Sequence, residues 1–300
     1  MLIAHLTDAH LGLDPGALLG RIEPAAALRR ALAHVRGLGT PADVLLLSGD
    51  LTESGADADY QTLRRLFDEE LPGHRHHQPR VLAVGGNHDL PLRARQHLAD
   101  WMPAPDNLPP GLVCVKAEHG GLHFIGLDTV VPGQPHGELG SAQLDWLATT
   151  LQSLAGQPVL IFMHHPPMLT GMAAMDDCGL RHGRAELARL IAAHGQVQLV
   201  AAGHMHRPIL GALGGAPVVV APSTSHQIEL DLNPNAPLAV RLEPPMIGLY
   251  RWTPEDGWQP PLRPPAPVPI PDGTTPGQLR ALAELDESAV ARLAELETEG

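Results

Sequence analysis

Leu199-Val200-Ala201-Ala202-Gly203-His204-Met205-His206 decides how the rest of this 300-residue chain is read. An apolar run of strand character stops at Gly203, and two imidazoles follow with one residue between them. That spacing lets both side chains leave one short turn and reach neighbouring points in space. Neutral imidazole is the commonest metal ligand, so the pair asks for a metal. The chain holds eighteen histidines, enough to produce close pairs by chance, so the pair gains weight only if other strand ends finish alike.

Four others do. A strand over Leu2–Thr7 ends in Asp8-Ala9-His10. Val44–Leu47, a continuous apolar run of the kind buried on both faces, ends in Ser48-Gly49-Asp50. Val81–Val84 ends in Gly85-Gly86-Asn87-His88-Asp89, and Val159–Met163 ends in His164-His165-Pro166-Pro167. Between these runs the apolar period becomes helical. Leu28, Ala31, Leu32 and Val35 follow Pro24, and Tyr60, Leu63, Leu66 and Phe67 form a second stripe. Leu144, Leu147, Leu151 and Leu154 follow Ser141 as an N-cap, and a further helix spans Arg184–His194. Strands alternating with helices predict a largely parallel sheet, whose ligands collect at the carboxyl ends of the strands. Singly, each polar residue has an ordinary use: Asp8 could cap a turn, Asp50 precede a helix, Asn87 hold a left-handed turn. Five strand ends in succession share no such ordinary explanation.

The donor set also makes chemical sense. Carboxylate, carboxamide and imidazole suit Mn, Fe, Co or Zn. Seven ligands are too many for one such ion with an open position. They suit two ions that share a bridging carboxylate, roughly 3.5–4 Å apart, the clamp that serves phosphoester hydrolysis.

These blocks resemble those of the calcineurin-like metallophosphoesterases: Asp8-x-His10, Gly49-Asp50, Gly86-Asn87-His88-Asp89, His164 and Gly203-His204-x-His206, in that family's order over residues 2 to about 206. His164-His165-Pro166-Pro167, Met175-Asp176 and Pro222-Ser223-Thr224-Ser225-His226-Gln227 resemble its cyclic-nucleotide and glycerophosphodiester phosphodiesterase branch. The resemblance implies an α/β fold, a four-layer αββα sandwich of two mixed β-sheets flanked by helices. It implies that Asp8, His10 and His206 hold a first ion, that Asn87, His164 and His204 hold a second, and that Asp50 bridges. It makes His88 the catalytic residue that stabilises a phosphoryl oxygen or protonates the leaving alkoxide, with Asp89 as its orienting partner or as a turn cap. Asn87, His88, His165 and His226 become the substrate-binding candidates.

Composition sets the outer bounds. A formal charge of −13 opposes binding to a nucleic-acid polymer, which needs a basic surface. Aromatics are only 3% of the chain, so the core must rest on Leu, Val, Ile and Ala, and a base-stacking clamp is disfavoured. No apolar run approaches the roughly 18 residues of a membrane span, and the N-terminus lacks the pattern of a secretory signal. Cys114 and Cys178 are too few for a disulfide framework, which fits a cytoplasmic location. His74-Arg75-His76-His77 is read as a solvated loop, because no strand fixes its side chains.

Elsewhere the pattern is weaker. Pro91–Pro110 predicts an irregular excursion, Met168–His182 a covering loop without a clear period, and Val113–Val115 and Leu122–Leu127 two strands joined at Gly120-Gly121. Pro217–Ala221, Leu238–Leu242 and Ile247–Trp252 predict a meander. Residues 1–253 thus form the catalytic domain, 254–276 a semi-rigid Pro-rich linker, and 277–300 a helical tail. Leu279, Leu282, Leu285, Val290, Leu293 and Leu296 give that tail an apolar stripe that should dock, on its own domain or on a second subunit; a homo-oligomer, dimer or higher, is expected.

The function expected is hydrolysis of a small phosphodiester, a cyclic nucleotide such as cAMP or a glycerophosphodiester, by hydroxide activated on two divalent ions. The alternatives are a phosphomonoesterase or protein phosphatase on the same metal core, and a scaffold that has kept the fold for binding. The scaffold is disfavoured because every ligand position is filled and His88 is present.

Overall fold

The computed structural model describes residues 1–14, 22–71, 78–241, 243–255, 257–258 and 268–269. The His74–His77 cluster, the proposed tail 277–300 and most of 254–276 lie outside these residues.

The first third of the chain alternates β1 (Leu2–Leu6), α1 (Pro24–Arg36), β2 (Val44–Ser48), α2 (Asp57–Glu70), β3 (Arg80–Val84) and α3 (Pro91–His97). The three strands pair in parallel in the order β1, β2, β3. α1 starts on Pro24, whose missing N–H is no loss in a first turn, and buries Leu28, Ala31, Leu32 and Val35. α3 corrects the expectation of an irregular segment after Pro91. That proline again sits in the first turn, and Ala94 is the residue the short helix buries.

The second unit comprises β4 (Val115–His119), β5 (Leu122–Gly126), β6 (Gly137–Glu138), α4 (Ser141–Ser153), β7 (Val159–Phe162), α5 (Ala173–Asp177), β8 (Leu180–His182), α6 (Arg184–Ala193), β9 (Val197–Ala202), β10 (Ile209–Leu213) and β11 (Ala216–Val220). Its large sheet runs β10-β11-β9-β7-β5-β4, with a parallel centre and an antiparallel strand at each edge. Ser141 is the first residue of α4; Gly140 occupies the cap position, and no side chain caps the helix. The stretch 168–182, expected to be loop, contains α5 and β8, and β8 pairs with β6 in a two-stranded ribbon.

The remaining elements are β12 (Gln227–Ile228), β13 (Val240–Arg241), β14 (Met246–Thr253), β15 (Gly257–Trp258) and β16 (Val268–Pro269). They do not form a meander. β11 joins the second sheet beside β9, β12 and β13 pair with each other, and β14 returns to the first sheet, antiparallel to β1. Apolar content alone carries no information about which of two sheets a strand will join. β15 and β16 both pair with β14, so the segment expected to be an unpaired linker contributes two short strands to the first sheet.

The sheets pack face to face. Leu160 and Phe162 of β7 and Leu199 and Ala201 of β9 enter a core shared with Ile3, Leu45 and Leu82, which α1 and α2 also share. The alternate residues Ile161 and Val200 turn the other way, into a core with Leu147 of α4 and Leu187 of α6. The result is the four-layer αββα sandwich, with the carboxyl ends of β1, β2, β3, β7 and β9 bearing the predicted ligands.

Candidate metal centre

The loops leaving these strands are fastened to one another by backbone bonds. Asp8 N donates to Gly49 O at 3.1 Å, His10 N to Asp50 O at 3.0 Å, and Gly203 N to His164 O at 3.0 Å. The fit is close. A side chain on Gly49, already at φ +99°, would place its Cβ 2.5 Å from His164 Nδ1, and one on Gly86 would strike the Asp50 carboxylate.

Backbone strain picks out the same residues. Among the described residues, six other than glycine have positive φ: Asp8, His10, Asp50, Asn107, His204 and His206. Five of the six are predicted ligands. Left-handed conformations cost such residues free energy, and they collect where function requires a particular side-chain direction.

The donor atoms point at one another in an arrangement that a bound metal ion would satisfy. His10 Nδ1 is 2.7 Å from the Glu53 carboxylate and His206 Nδ1 is 2.8 Å from the carbonyl of His226, so each ring uses its N–H there. Their Nε2 lone pairs therefore face each other at 3.2 Å. His164 Nδ1 donates to Ser48 O at 2.8 Å, which leaves its Nε2 lone pair 3.0 Å from Asn87 Oδ1 and 3.2 Å from His204 Nδ1. Asp50 Oδ2 lies between the two groups, 3.6 Å from His10 Nε2 and 3.4 Å from His164 Nε2. Asp8 Oδ1 is 3.4 Å from His206 Nε2. All seven predicted ligands thus converge, and the donor set fits two divalent ions of borderline character with Asp50 placed to be shared.

Electrostatics keep the carboxylates ionised. Burial raises the Asp8 pKa, but His206 and His164 outweigh it and hold the group at about 2. Asp50 is likewise opposed by burial, yet His164, His10 and His88 hold it well below the usual carboxylate range. Burial, reinforced by His165 and His164, drives His204 far down, and burial with His206, His10 and His88 does the same to His226.

Asp89 follows the second of its two expected roles, a cap, and His165 is placed differently from expectation. Asp89 does not orient His88. Its carboxylate accepts the N–H groups of Leu51, Thr52 and Gly86 and the hydroxyls of Thr52 and Tyr60, so it fastens the loop after β2 to the loop after β3. His165 is wholly buried with both nitrogens engaged: Thr129 Oγ1 lies 2.8 Å from Nδ1, and Nε2 donates to Pro135 O at 3.1 Å. No ring nitrogen remains for a substrate.

His88 and His226 border the cluster. Their rings lie 4.8 Å and 5.1 Å from that of His10, and His226 is 4.6 Å from His206. His88 Nδ1 donates to Glu53 O at 3.1 Å and stands 3.6 Å from the Glu53 carboxylate. Glu53 was missed in the sequence; its only signal was an acid three residues beyond Asp50. Arg207, beside His206, turns away and bonds Ile228 O and the Glu243 carboxylate.

A sequence profile described as calcineurin-like phosphoesterase matches residues 1–208. A probable glycerophosphodiester phosphodiesterase of Arcobacter nitrofigilis is 30% identical over 86% of this chain and 90% of its own length. A probable cyclic nucleotide phosphodiesterase of Synechococcus is 34% identical over 81% and 88%, and a cAMP/cGMP dual specificity phosphodiesterase of Mycobacterium tuberculosis is 32% identical over 76% and 69%. The crystal structure of a dimetal phosphatase from Danio rerio superposes with a TM-score of 0.60 at 14% identity, covering 85% of this chain and 93% of that one, a likeness of fold. With its blocks in order, its ligands converged and this profile over two thirds of its length, the chain belongs to the calcineurin-like phosphoesterase family.

Proposed function

We propose that this protein is a dinuclear-metal-dependent phosphodiesterase acting on small diesters, of the cyclic nucleotide or glycerophosphodiester kind named among its relatives. The observation that carries the proposal is the facing of His10 Nε2 on His206 Nε2 and of His164 Nε2 on Asn87 Oδ1, with Asp50 Oδ2 between the two groups. Asp8, His10 and His206 would hold one ion, Asn87, His164 and His204 the other, and Asp50 both. When bound, such a pair supplies Lewis acidity at a phosphoryl oxygen and acidifies water to the point of nucleophilicity near neutral pH.

The protein's own groups do the rest. His88, anchored through Nδ1, keeps Nε2 to stabilise a phosphoryl oxygen or to give a proton to the departing alkoxide. Such help is typically worth about 10²–10⁴-fold. Asn87 and His226 complete the substrate contacts. The nitrogen and oxygen donors suit Mn, Fe, Co or Zn. The two free cysteines accord with a cytoplasmic setting, and none of the described helices is long and apolar enough to cross a membrane.

The test is hydrolysis of bis(p-nitrophenyl) phosphate, with p-nitrophenyl phosphate as the monoester control. Diester turnover is expected to vanish on chelation, and Asp50→Ala is expected to lose metal and turnover together. His88→Ala is expected to keep its metal and lose rate chiefly with alkyl leaving groups, since p-nitrophenolate departs without a proton. Full diesterase activity after exhaustive chelation would refute the proposal.

A further inference from the structure

In the stretch Pro222-Ser223-Thr224-Ser225-His226-Gln227, the proposed function uses His226 alone. Ser223, Thr224 and Gln227 are fully buried, too deep to meet a substrate. The stretch leaves β11 in the second sheet and crosses to the first. At its start Ala221 N donates to Ala202 O at 2.9 Å, at the end of β9 and two residues before His204. Three residues on, Thr224 N donates to Thr7 O at 3.1 Å, beside Asp8, and Thr224 Oγ1 adds a bond to the same carbonyl at 3.2 Å. The crossing is thus pinned to one ligand-bearing strand end of each sheet.

Ser223 stands at its middle. Its hydroxyl donates to Asp8 O at 2.8 Å and accepts the N–H groups of Ser225 at 2.9 Å and of His226 at 3.2 Å. Its own carbonyl takes Gln227 Nε2 at 2.8 Å and Met246 N at 3.3 Å. A hydroxyl can give and accept at a single atom, which a carboxylate cannot do when ionised. Ala here would take this partner from one carbonyl and two N–H groups in the interior. A serine hydroxyl that accepts from the residues just ahead folds the chain into a local turn. This turn ends on His226, whose ring lies 4.6 Å from that of His206 and 5.1 Å from that of His10. The His226 carbonyl accepts the Nδ1–H of His206 at 2.8 Å. One buried hydroxyl therefore ties the Asp8 backbone to the residue that both faces the site and holds His206.

We infer that Ser223 is a positioning residue: its hydroxyl locks the turn that aims the His226 ring into the site and keeps the His226 carbonyl on His206. This rests on the phosphodiesterase proposal above, from which His226 takes its part.

The experiment uses the full-length protein, with Ser223→Ala and, to keep the volume while weakening the hydrogen bonds, Ser223→Cys. Each is made in the native background and in His226→Ala, and kcat/KM is measured with bis(p-nitrophenyl) phosphate. A group misplaced by about 1 Å can cost about 100-fold. Either substitution is expected to lose about tenfold or more in the native background and less than about threefold in His226→Ala, since residues that act together are not additive. Independently of activity, exchange of the His206 Nδ1–H with solvent, followed by NMR in the zinc-loaded protein, is expected to speed up at least about tenfold in both variants. The same loss in both backgrounds, or unchanged exchange, overturns the role of Ser223 and leaves the phosphodiesterase proposal standing. Absence of diester hydrolysis by the unmodified protein refutes the phosphodiesterase proposal, and the exchange measurement then decides whether Ser223 locks the turn.

Discussion

The Glu53 carboxylate stands 2.7 Å from Nδ1 of His10, on the far side of the ring from the Nε2 that faces His206. This bond fixes the tautomer and direction of a proposed ligand, and the same carboxylate lies 3.6 Å from His88 Nδ1. Outer partners of this kind are typically worth about 10- to 100-fold in metal affinity. Glu53→Gln, which can still accept a hydrogen bond, is expected to weaken metal binding less than Glu53→Ala. Metal titration followed by calorimetry checks the order. Equal affinity in all three proteins would remove Glu53 from the centre.

Asp89 makes a different prediction, because its five bonds run to loop backbone and hydroxyls and none to His88. Bonds to a buried ionised group are worth about 1.5–3 kcal/mol each. Asp89→Ala is expected to lower the midpoint of urea unfolding clearly, whereas the pH dependence of kcat keeps its shape. A changed pH profile at unchanged stability would restore a catalytic part for the residue.

These two acids mark how far the sequence could be read. The convergence of the seven proposed ligands was legible because each follows an apolar strand, and in an open α/β sheet strand ends meet on one side. Asp89 also follows a strand, yet its side chain points back into the protein, and its partners come from an adjacent loop that no spacing rule connects to it. Glu53 lies within a loop, where neither period nor strand end gives a direction. Likewise β10 was missed because an edge strand carrying Gly211, with its alternate side chains in solvent, has no continuous apolar run. The division of β11, β13 and β14 among three sheets is a matter of tertiary pairing, which local pattern does not encode.

His5 predicts how the fold responds to acid. It lies fully buried between Tyr250 and Ser48, at 2.6 Å and 2.7 Å, and burial lowers its pKa to about 3 against the pull of Asp8. The unfolded chain takes a proton there below pH 6.5 and the folded chain refuses it until about pH 3. Stability is therefore retained above pH 6.5 and lost as pH falls towards 3, by up to about 1.4 kcal/mol per pH unit. His5→Gln is expected to flatten the acid limb of unfolding free energy against pH by about one proton, whatever its effect on stability at pH 7. An unchanged slope would show that His5 stays neutral in neither or both states alike.

β16 runs antiparallel to β14, with Val268 opposite Ile247 and Pro269 opposite Met246, so β16 itself points towards the end of the sheet that bears the proposed metal ligands. Leu169, Leu230, Leu232 and Leu238 are exposed large apolar side chains in the loops following His165 and Gln227. We propose that the apolar stripe of residues 279–296 contributes to a homo-oligomer. Truncation after Thr253 is expected to lower the mass per particle in light scattering and to spare metal binding. An unchanged mass would assign the tail no part in assembly.

The backbone N–H of His204 bonds the carboxylate of Asp8 across 196 residues of sequence. A ribosome makes Asp8, His10, Asp50 and Asn87 long before it makes His204 and His206, so during synthesis the early ligands exist without their partners. Neither of the two proposed ions would have its full set of ligands until the second sheet has formed and met the first. On the proposed ligand assignment, metal uptake would be a late event that reports completed folding, and the choice among competing ions would fall to a finished cavity rather than to a growing chain.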